Sequence, residues 1–384
     1  MDIKTLKIKK PLKISNDKSL GIQCFGENND YPQLVSNIIT NSTTGSECLS
    51  IYAKFLMGQG FNDISFSDYI INRQGLTMDS LLRNITKDYA KYGGFALHFN
   101  YNALYEISEI NFIPFEQVRL GNVDDNGNIS KIATHWDWGR EMQSLRAWRK
   151  QDVTYYDLFN TNPLLIKTEI EQAGGIEEWN GQILYYNGNI NLSYKKPIYS
   201  SVLTDMNTEE GLANIDNRNA RNRFMVGGML VEIKKDNANT EEQEPTNMQE
   251  QLMEAQGDER ACKVLYGKVE NKDDVPIFIP FQTKSFSDEY KITKESVSNN
   301  IGKAFMQPPI LRAENVSTGF DTDAMNSAYT YYNSITEVER FDIERVIKLV
   351  FSFWKEKDLF NDFSIKPLQW NAIANMTSPT TTQN

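Results

Sequence analysis

Gln307-Pro308-Pro309-Ile310-Leu311-Arg312-Ala313-Glu314-Asn315-Val316-Ser317-Thr318-Gly319-Phe320 is a stretch that no helix can pass through. Pro308 and Pro309 have no backbone N–H to donate and disfavour helical geometry in the residue before them. A helix arriving from upstream must therefore end at or just before Gln307. Gly319 marks a turn, and Asp321 is placed to accept from the N–H groups that open a second helix. Helical spacing is present on both sides. Upstream, Tyr290, Lys294, Val297, Ile301 and Ala304/Phe305 make one stripe between Ser287 and Met306, roughly 20 residues or about 30 Å. Downstream, Met325, Ala328, Tyr332, Ile335, Ile343, Val346, Val350 and Phe353 predict a helix from Asp321 to Lys357. Unbroken, its ~37 residues would span about 55 Å, against a usual helix of roughly 11 residues.

Further upstream, Leu212, Ile215, Asn219 and Arg223 recur at helical steps from Thr208, and Gly227-Gly228 stops them. Between this helix and the one from Ser287 lies an insert. It opens with a strand, Met229 to Ile233, and continues through a polar, acidic segment from Asp236 to Arg260. The part through Thr246 reads as a loop; Met248, Leu252, Met253 and Ala255 allow a short helix. Strand patterns at Cys262 to Val269 and Pro276 to Phe281 close it. An insert held between two helices implies that the helix ends flanking it lie close together.

The first half mixes periods. Residues 1–30 read as extended and loosely held. Tyr31-Pro32 starts a helix through Ile39, and a second runs from Ser46 to Met57 with Gly58-Gln59-Gly60 after it. Thr77 caps a third, which Gly93-Gly94 ends. Strands follow at Phe95 to Phe99, Ile107 to Ile113, Ile129 to His135, Val153 to Phe159 and Gln182 to Tyr186. Asn126-Gly127 and Asn187-Gly188 supply the positive φ that tight hairpins need. The fold class is α+β, with a mostly antiparallel sheet.

Composition narrows the function. A net charge of -11 on 384 residues argues against tight nucleic-acid binding by phosphate neutralisation. The three cysteines, Cys24, Cys48 and Cys262, form no CxxC, so reduced thiols in a cytosolic setting are expected. The N-terminal residues have no signal-peptide core, and no apolar run approaches the ~20 residues that span a bilayer. Gly302-Lys303 and Gly267-Lys268 lack the earlier glycine of a phosphate-binding loop, and no HExxH or GxSxG occurs. The two histidines, His98 and His135, read as ordinary sheet residues. Asn122-Val123-Asp124-Asp125-Asn126-Gly127-Asn128-Ile129 imitates a calcium loop, but its twelfth position is Ala133, where a bidentate Glu is required; a hairpin turn is the better reading. No cofactor, metal or catalytic residue is expected. Arg218, Arg221 and Arg223 suit phosphate contact, a solvated helix face or a neighbouring subunit. The acidic insert suits a basic partner or simple solubility.

Several strings, in their order, resemble tailed-bacteriophage portal proteins over roughly residues 28–357. Asn29-Asp30-Tyr31-Pro32 and Gly58-Gln59-Gly60-Phe61 are similar to the start of many portals. Asp88-Tyr89-Ala90-Lys91-Tyr92-Gly93-Gly94-Phe95-Ala96 with Ile113-Pro114-Phe115-Glu116-Gln117-Val118-Arg119 resembles the portal wing. Arg223-Phe224-Met225-Val226-Gly227-Gly228-Met229-Leu230 resembles the lead into the insert. Ile301-Gly302-Lys303-Ala304-Phe305-Met306-Gln307-Pro308-Pro309-Ile310-Leu311 with Thr318-Gly319-Phe320 resembles the most recognisable stretch of the family.

The resemblance implies a portal-like layout: a mixed α/β wing at 1–206, a stem helix at 207–228, a small α/β clip at 229–284 and a second stem helix at 285–306. A tunnel loop at 307–320, a long helix returning to the wing at 321–364 and a short tail at 365–384 complete it, with the crown short or missing. It implies a homo-oligomeric ring of about a dozen subunits at one capsid vertex of the virion, assembled in the host cytoplasm without a membrane. Double-stranded DNA would pass through it, and terminase, the major capsid protein and head-completion or tail adaptor proteins would bind it. Gln307, Pro308, Pro309, Arg312, Asn315 and Thr318 would face the channel, Arg218, Arg221 and Arg223 would be stem cations, and Glu241, Glu242, Glu244, Glu250 and Glu254 would meet partners at the clip. A mostly acidic bore with few cations would let duplex slide. The competing readings are another phage connector or baseplate component, and an enzyme whose carboxylates gather only in the fold.

Overall fold

The computed structural model describes residues 14–125, 127–138, 150–188, 194–221, 229–233, 265–269, 286–312, 322–356 and 359–370. The first helices form where their caps direct. α1 (Tyr31–Asn41) has Pro32 in its first turn, where a missing N–H costs nothing. α2 (Thr43–Met57) starts earlier than its apolar spacing suggests, because the Ser42 hydroxyl accepts from the Gly45 N–H. After the single turn α3 (Ile64–Ser67), α4 (Met78–Tyr92) is capped by Thr77 and closed by Gly93 at φ 76°.

The sheet has six strands in the order β4-β3-β8-β7-β6-β5. These are β3 (Phe95–Tyr101), β4 (Ile107–Ile113), β5 (Val118–Leu120), β6 (Lys131–Thr134), β7 (Thr154–Leu158) and β8 (Gln182–Tyr186). Every neighbouring pair is antiparallel except β7 and β8. Parallel neighbours need a crossover, and α5 (Pro163–Ala173) supplies it. Gly127, at φ 84°, turns the chain between β5 and β6, and Asp124 Oδ1 accepts from the Asn128 N–H at 2.7 Å; the calcium-like string is a hairpin turn. Gly188 is left-handed too, but among the described residues β8 enters no hairpin: its partners are β3 and β7.

The sheet is buried on both sides. Alternate β3 residues Phe95, Leu97 and Phe99 join a core with α2, α4 and the C-terminal helices, while Ala96 joins Ile183, Phe115 and Leu120 on the opposite face. The expectation of a loosely held N-terminus is corrected over its described part. β1 (Ile14–Asp17) and β2 (Ile22–Phe25) pair, Ile22 and Phe25 are buried, and Gln23 Nε2 donates to the Gly121 carbonyl at 3.1 Å.

α6 (Leu203–Arg221) and α7 (Phe286–Ala304) flank the insert, whose described parts, β9 (Met229–Ile233) and β10 (Leu265–Val269), pair in parallel. The single helix expected over 321–357 is jointed. α8 (Thr322–Ile335) and α9 (Glu337–Phe351) meet at Thr336, whose hydroxyl donates to the Tyr332 carbonyl and competes with the helical ladder. Arg340 Nη1 donates to Thr336 Oγ1 and to the Phe55 carbonyl, tying the joint to α2.

Candidate functional site

The turn that decides the sequence reading is built from α7 outward. The helix ends at Ala304; Met306 takes a left-handed φ of 53°, and the Gln307 N–H reaches back to the Gly302 carbonyl at 3.1 Å. A 3-10 turn over Pro309–Arg312 follows, with the Leu311 N–H donating to the Pro308 carbonyl. Gln307 Nε2 donates to the Cys48 carbonyl at 2.6 Å and to Tyr332 Oη at 3.1 Å, and Tyr332 Oη donates to the Phe305 carbonyl. One side chain thus fastens the turn to α2 and α8.

This placement corrects two expected channel residues. Gln307 is 5% exposed and Arg312 6% exposed, both enclosed by their own chain. Arg312 Nη1 donates to the Ser298 carbonyl at 3.2 Å, and its guanidinium lies on Gly302 so closely that a Cβ there would overlap it. The burial has a simple cause: the proline-enforced turn folds residue 312 back onto the helix it has just left. Pro308 is half-buried and Pro309 exposed, so of the four expected channel residues that are described only Pro309 faces out. Asn315 and Thr318 lie outside the described residues. Arg218 and Arg221 fall in the last turn of α6 and their side chains are outside the described set, as is Arg223. Glu241, Glu242, Glu244, Glu250 and Glu254 lie outside it as well.

The two flanking helices are antiparallel. Thr44 links Glu209 of α6 to Ser298 of α7, while Asp216 of α6 pairs with Lys294 of α7 at 3.6 Å. Going up α6 means going down α7, so Arg221 and Phe286, the helix ends that flank the insert, lie at the same end of the pair. The opposite end is anchored in the body. The Glu209 carboxylate accepts from the Ser42 hydroxyl, the Thr44 hydroxyl at 2.7 Å and the Thr44 N–H, at the N-terminus of α2 where negative charge is favoured. Sequence reading missed this joint, although Ser42 ahead of Thr43-Thr44-Gly45 is a readable cap signal.

The strings Asn29–Pro32, Asp88–Ala96 and Ile113–Arg119, far apart in sequence, meet in space. Arg119 is fully buried: Nε donates to Asn29 Oδ1 at 2.6 Å, Nη1 to the Glu116 and Val118 carbonyls, and Nη2 to the Asn29 carbonyl at 2.7 Å and Gln33 Oε1. Phe25 and Trp138 flank the guanidinium at 5.9 and 5.3 Å. Burial pulls its pKa down to about 10. Asp88 Oδ2 accepts from the Phe115 N–H at 2.8 Å, and Tyr92 Oη donates to Glu116. Burial pushes the Asp88 carboxyl up to about 7, against that hydrogen bond and Lys91, which favour the charged form.

Among the described residues no three of His, Cys, Asp and Glu gather at metal-binding distance, and no helix is long and apolar enough to cross a membrane. His98 is a sheet residue, its Nε2 2.7 Å from the Asn180 carbonyl.

No family model and no curated protein matches the sequence. Solved structures do. A chain of the virion of the native gene transfer agent particle superposes with a TM-score of 0.51 at 11% identity, over 92% of this chain and 91% of that one. A chain of the neck of the empty particle, computed with C6 symmetry, gives 0.51 at 12% identity, over 90% and 87%. This chain has the fold of a gene transfer agent particle chain. At these identities the likeness concerns the fold, and it extends over nearly the whole of both chains.

Proposed function

We propose that this chain is a portal-type subunit: a structural, non-enzymatic protein that closes into a ring of about a dozen copies at one capsid vertex. The ring is a conduit for double-stranded DNA during packaging and ejection, and it docks terminase and the tail adaptor. The observation that carries the reading is the antiparallel pair α6 and α7, rooted in an α+β body at the Glu209 joint and flanking, in sequence, an insert whose described strands pair in parallel. That layout is the one expected of wing, stem and clip, and the likeness to a chain of a particle neck computed with C6 symmetry supports ring assembly. Arg312 has no part in the channel on this reading; the exposed Pro309 and the described ends of α6 and α7 lead toward the residues that line it.

Electron microscopy of the purified protein, with mass measured by light scattering, tests the proposal. Rings with an axial opening and a stalk are expected. A compact monomer at micromolar concentration, without a central opening, overturns it. A solid disc or a tube would place the chain elsewhere among head–tail connector components.

A further inference from the structure

Two helices present outer faces that none of the described residues covers. On α9, Ile343, Val346, Ile347 and Val350 turn inward. Outward, Val338 is 68% exposed, Phe341 57% and Leu349 44%, at steps of three and then eight residues along one face. Three apolar side chains so exposed on one helix mark an interaction surface. Glu337 stands at the start of that face and Arg345 and Lys348 at its end, all exposed. Arg345, Lys348 and Leu349 also line a cleft of about 760 Å³ against Tyr186.

On α5, Ile166 and Ile170 are buried, while Leu164 is 74% and Leu165 45% exposed. Here Lys167 stands near the start, and Glu171, Glu177 and Glu178 stand at and beyond the end, all exposed. The charge order is therefore the reverse of that on α9. Laid side by side and parallel, with Leu164 and Leu165 against Val338 and Phe341, the two faces set Glu171 and the glutamates beyond it toward Arg345 and Lys348, and Lys167 lies about one turn from Glu337. An antiparallel alignment sets like charges together. The pairs these groups make within the chain, Arg345 with Asp342 at 3.7 Å and Lys167 with Glu171 at 3.8 Å, are exposed and loose. Such pairs re-form with a new partner at little cost. One protomer cannot join its own two faces: α5 meets β8 at Gln182, through Glu169, and α9 flanks the other end of β8 at Tyr186.

We infer that the outer face of α9 docks in parallel on the outer face of α5 of a second copy of this chain. Two different complementary surfaces on one protomer make a head-to-tail contact, the kind that closes into a ring. The inference rests on the ring reading above and names its contact.

Charge exchange tests it. Arg345→Glu with Lys348→Glu, and separately Glu171→Lys with Glu177→Lys and Glu178→Lys, should each weaken ring formation at least about tenfold by light scattering, since like charges then face each other. Melting curves check that each variant remains folded; Val338→Ser with Phe341→Ser gives a charge-independent second test and should also disperse rings. Combining the two charge-reversed sets in one chain should restore rings to near the wild-type level. If wild type forms rings and the reversed variants form them equally well, this contact is wrong while the ring stands. If wild type forms none, both fall. Variants that make normal rings but fail to enter capsids would assign the α9 face to a shell protein and overturn the inference.

Discussion

Arg119 and Arg312 both carry a guanidinium into the interior, and they are held by opposite arrangements. Arg119 is surrounded: five acceptors from three segments, two aromatic rings, and no carboxylate in direct contact. It joins residues 90 positions apart, so it specifies how the N-terminal segment, the 3-10 turn Phe115–Gln117 and the sheet edge fit together. Arg312 is local. It lies on α7, ten residues back, and what makes room for it is the missing side chain at Gly302. A buried cation can therefore be accommodated by a full set of donors and acceptors, or by a gap left for it. The first arrangement is intolerant of any change in the arginine; the second is intolerant of change in the neighbour.

The largest effect should come from emptying the first site. Arg119→Ala leaves several buried acceptors without donors, and we expect a loss of about 4 kcal/mol or more in denaturant unfolding. Arg119→Lys keeps the charge but not the planar fork and should recover less than half of it. If Arg119→Ala melts like wild type, the comparison collapses.

Next comes the second site. Gly302→Ala in an open helix would stabilise by roughly 1 kcal/mol, but here the new methyl meets the guanidinium, so a loss of about 2 kcal/mol is expected. Adding Arg312→Ala should relieve it, giving a coupling of about 1 kcal/mol in a double-mutant cycle. A stabilised Gly302→Ala would show that Arg312 is elsewhere.

The Arg119 junction should also respond to pH through Asp88. Its carboxyl is raised in the fold to about 7 from 3.8, so between those values the native chain holds a proton that the unfolded chain has released. Stability must then fall as pH rises through that window, by about 1–2 kcal/mol after solvent relaxation. Asp88→Asn, which keeps an acceptor for the Phe115 N–H, should flatten the thermal midpoint between pH 5 and 8. An unchanged slope would remove Asp88 from the junction.

The smallest effect sharpens the contrast. Arg83 pairs with Asp79 on the outside of α4 at 3.2 Å, and Arg83→Ala should cost only about 0.3 kcal/mol. The same side chain matters in proportion to what encloses it.

What could be read in advance follows the same division. Local chemistry was legible: the Thr77 cap and Gly93 stop of α4, the strands from Phe95, and the end of α7 ahead of two prolines all follow from near neighbours. Distant chemistry was not. Nothing in the spacing of residues 14–25 tells that Gln23 binds the Gly121 carbonyl, or that Arg119 closes on Asn29. The joint at Thr336 lies inside an uninterrupted apolar pattern and owes its position to Arg340 and Phe55. Arg312 was expected in the channel because the resemblance makes 307–320 a tunnel loop, and only the fold shows the space reserved for it on Gly302. The short α5, with two inward apolar residues against two outward leucines, has no clean periodicity to find.

The neutral partners of Arg119 have a further consequence. Mobile counterions weaken attraction between exposed opposite charges over about 8 Å at physiological ionic strength, but they have nothing to screen between a guanidinium and enclosed carbonyls. The faces on α5 and α9 carry exposed charge; the Arg119 junction does not. Concentrated salt should therefore separate copies of this chain long before it loosens any one of them, releasing folded single chains that re-associate on dilution.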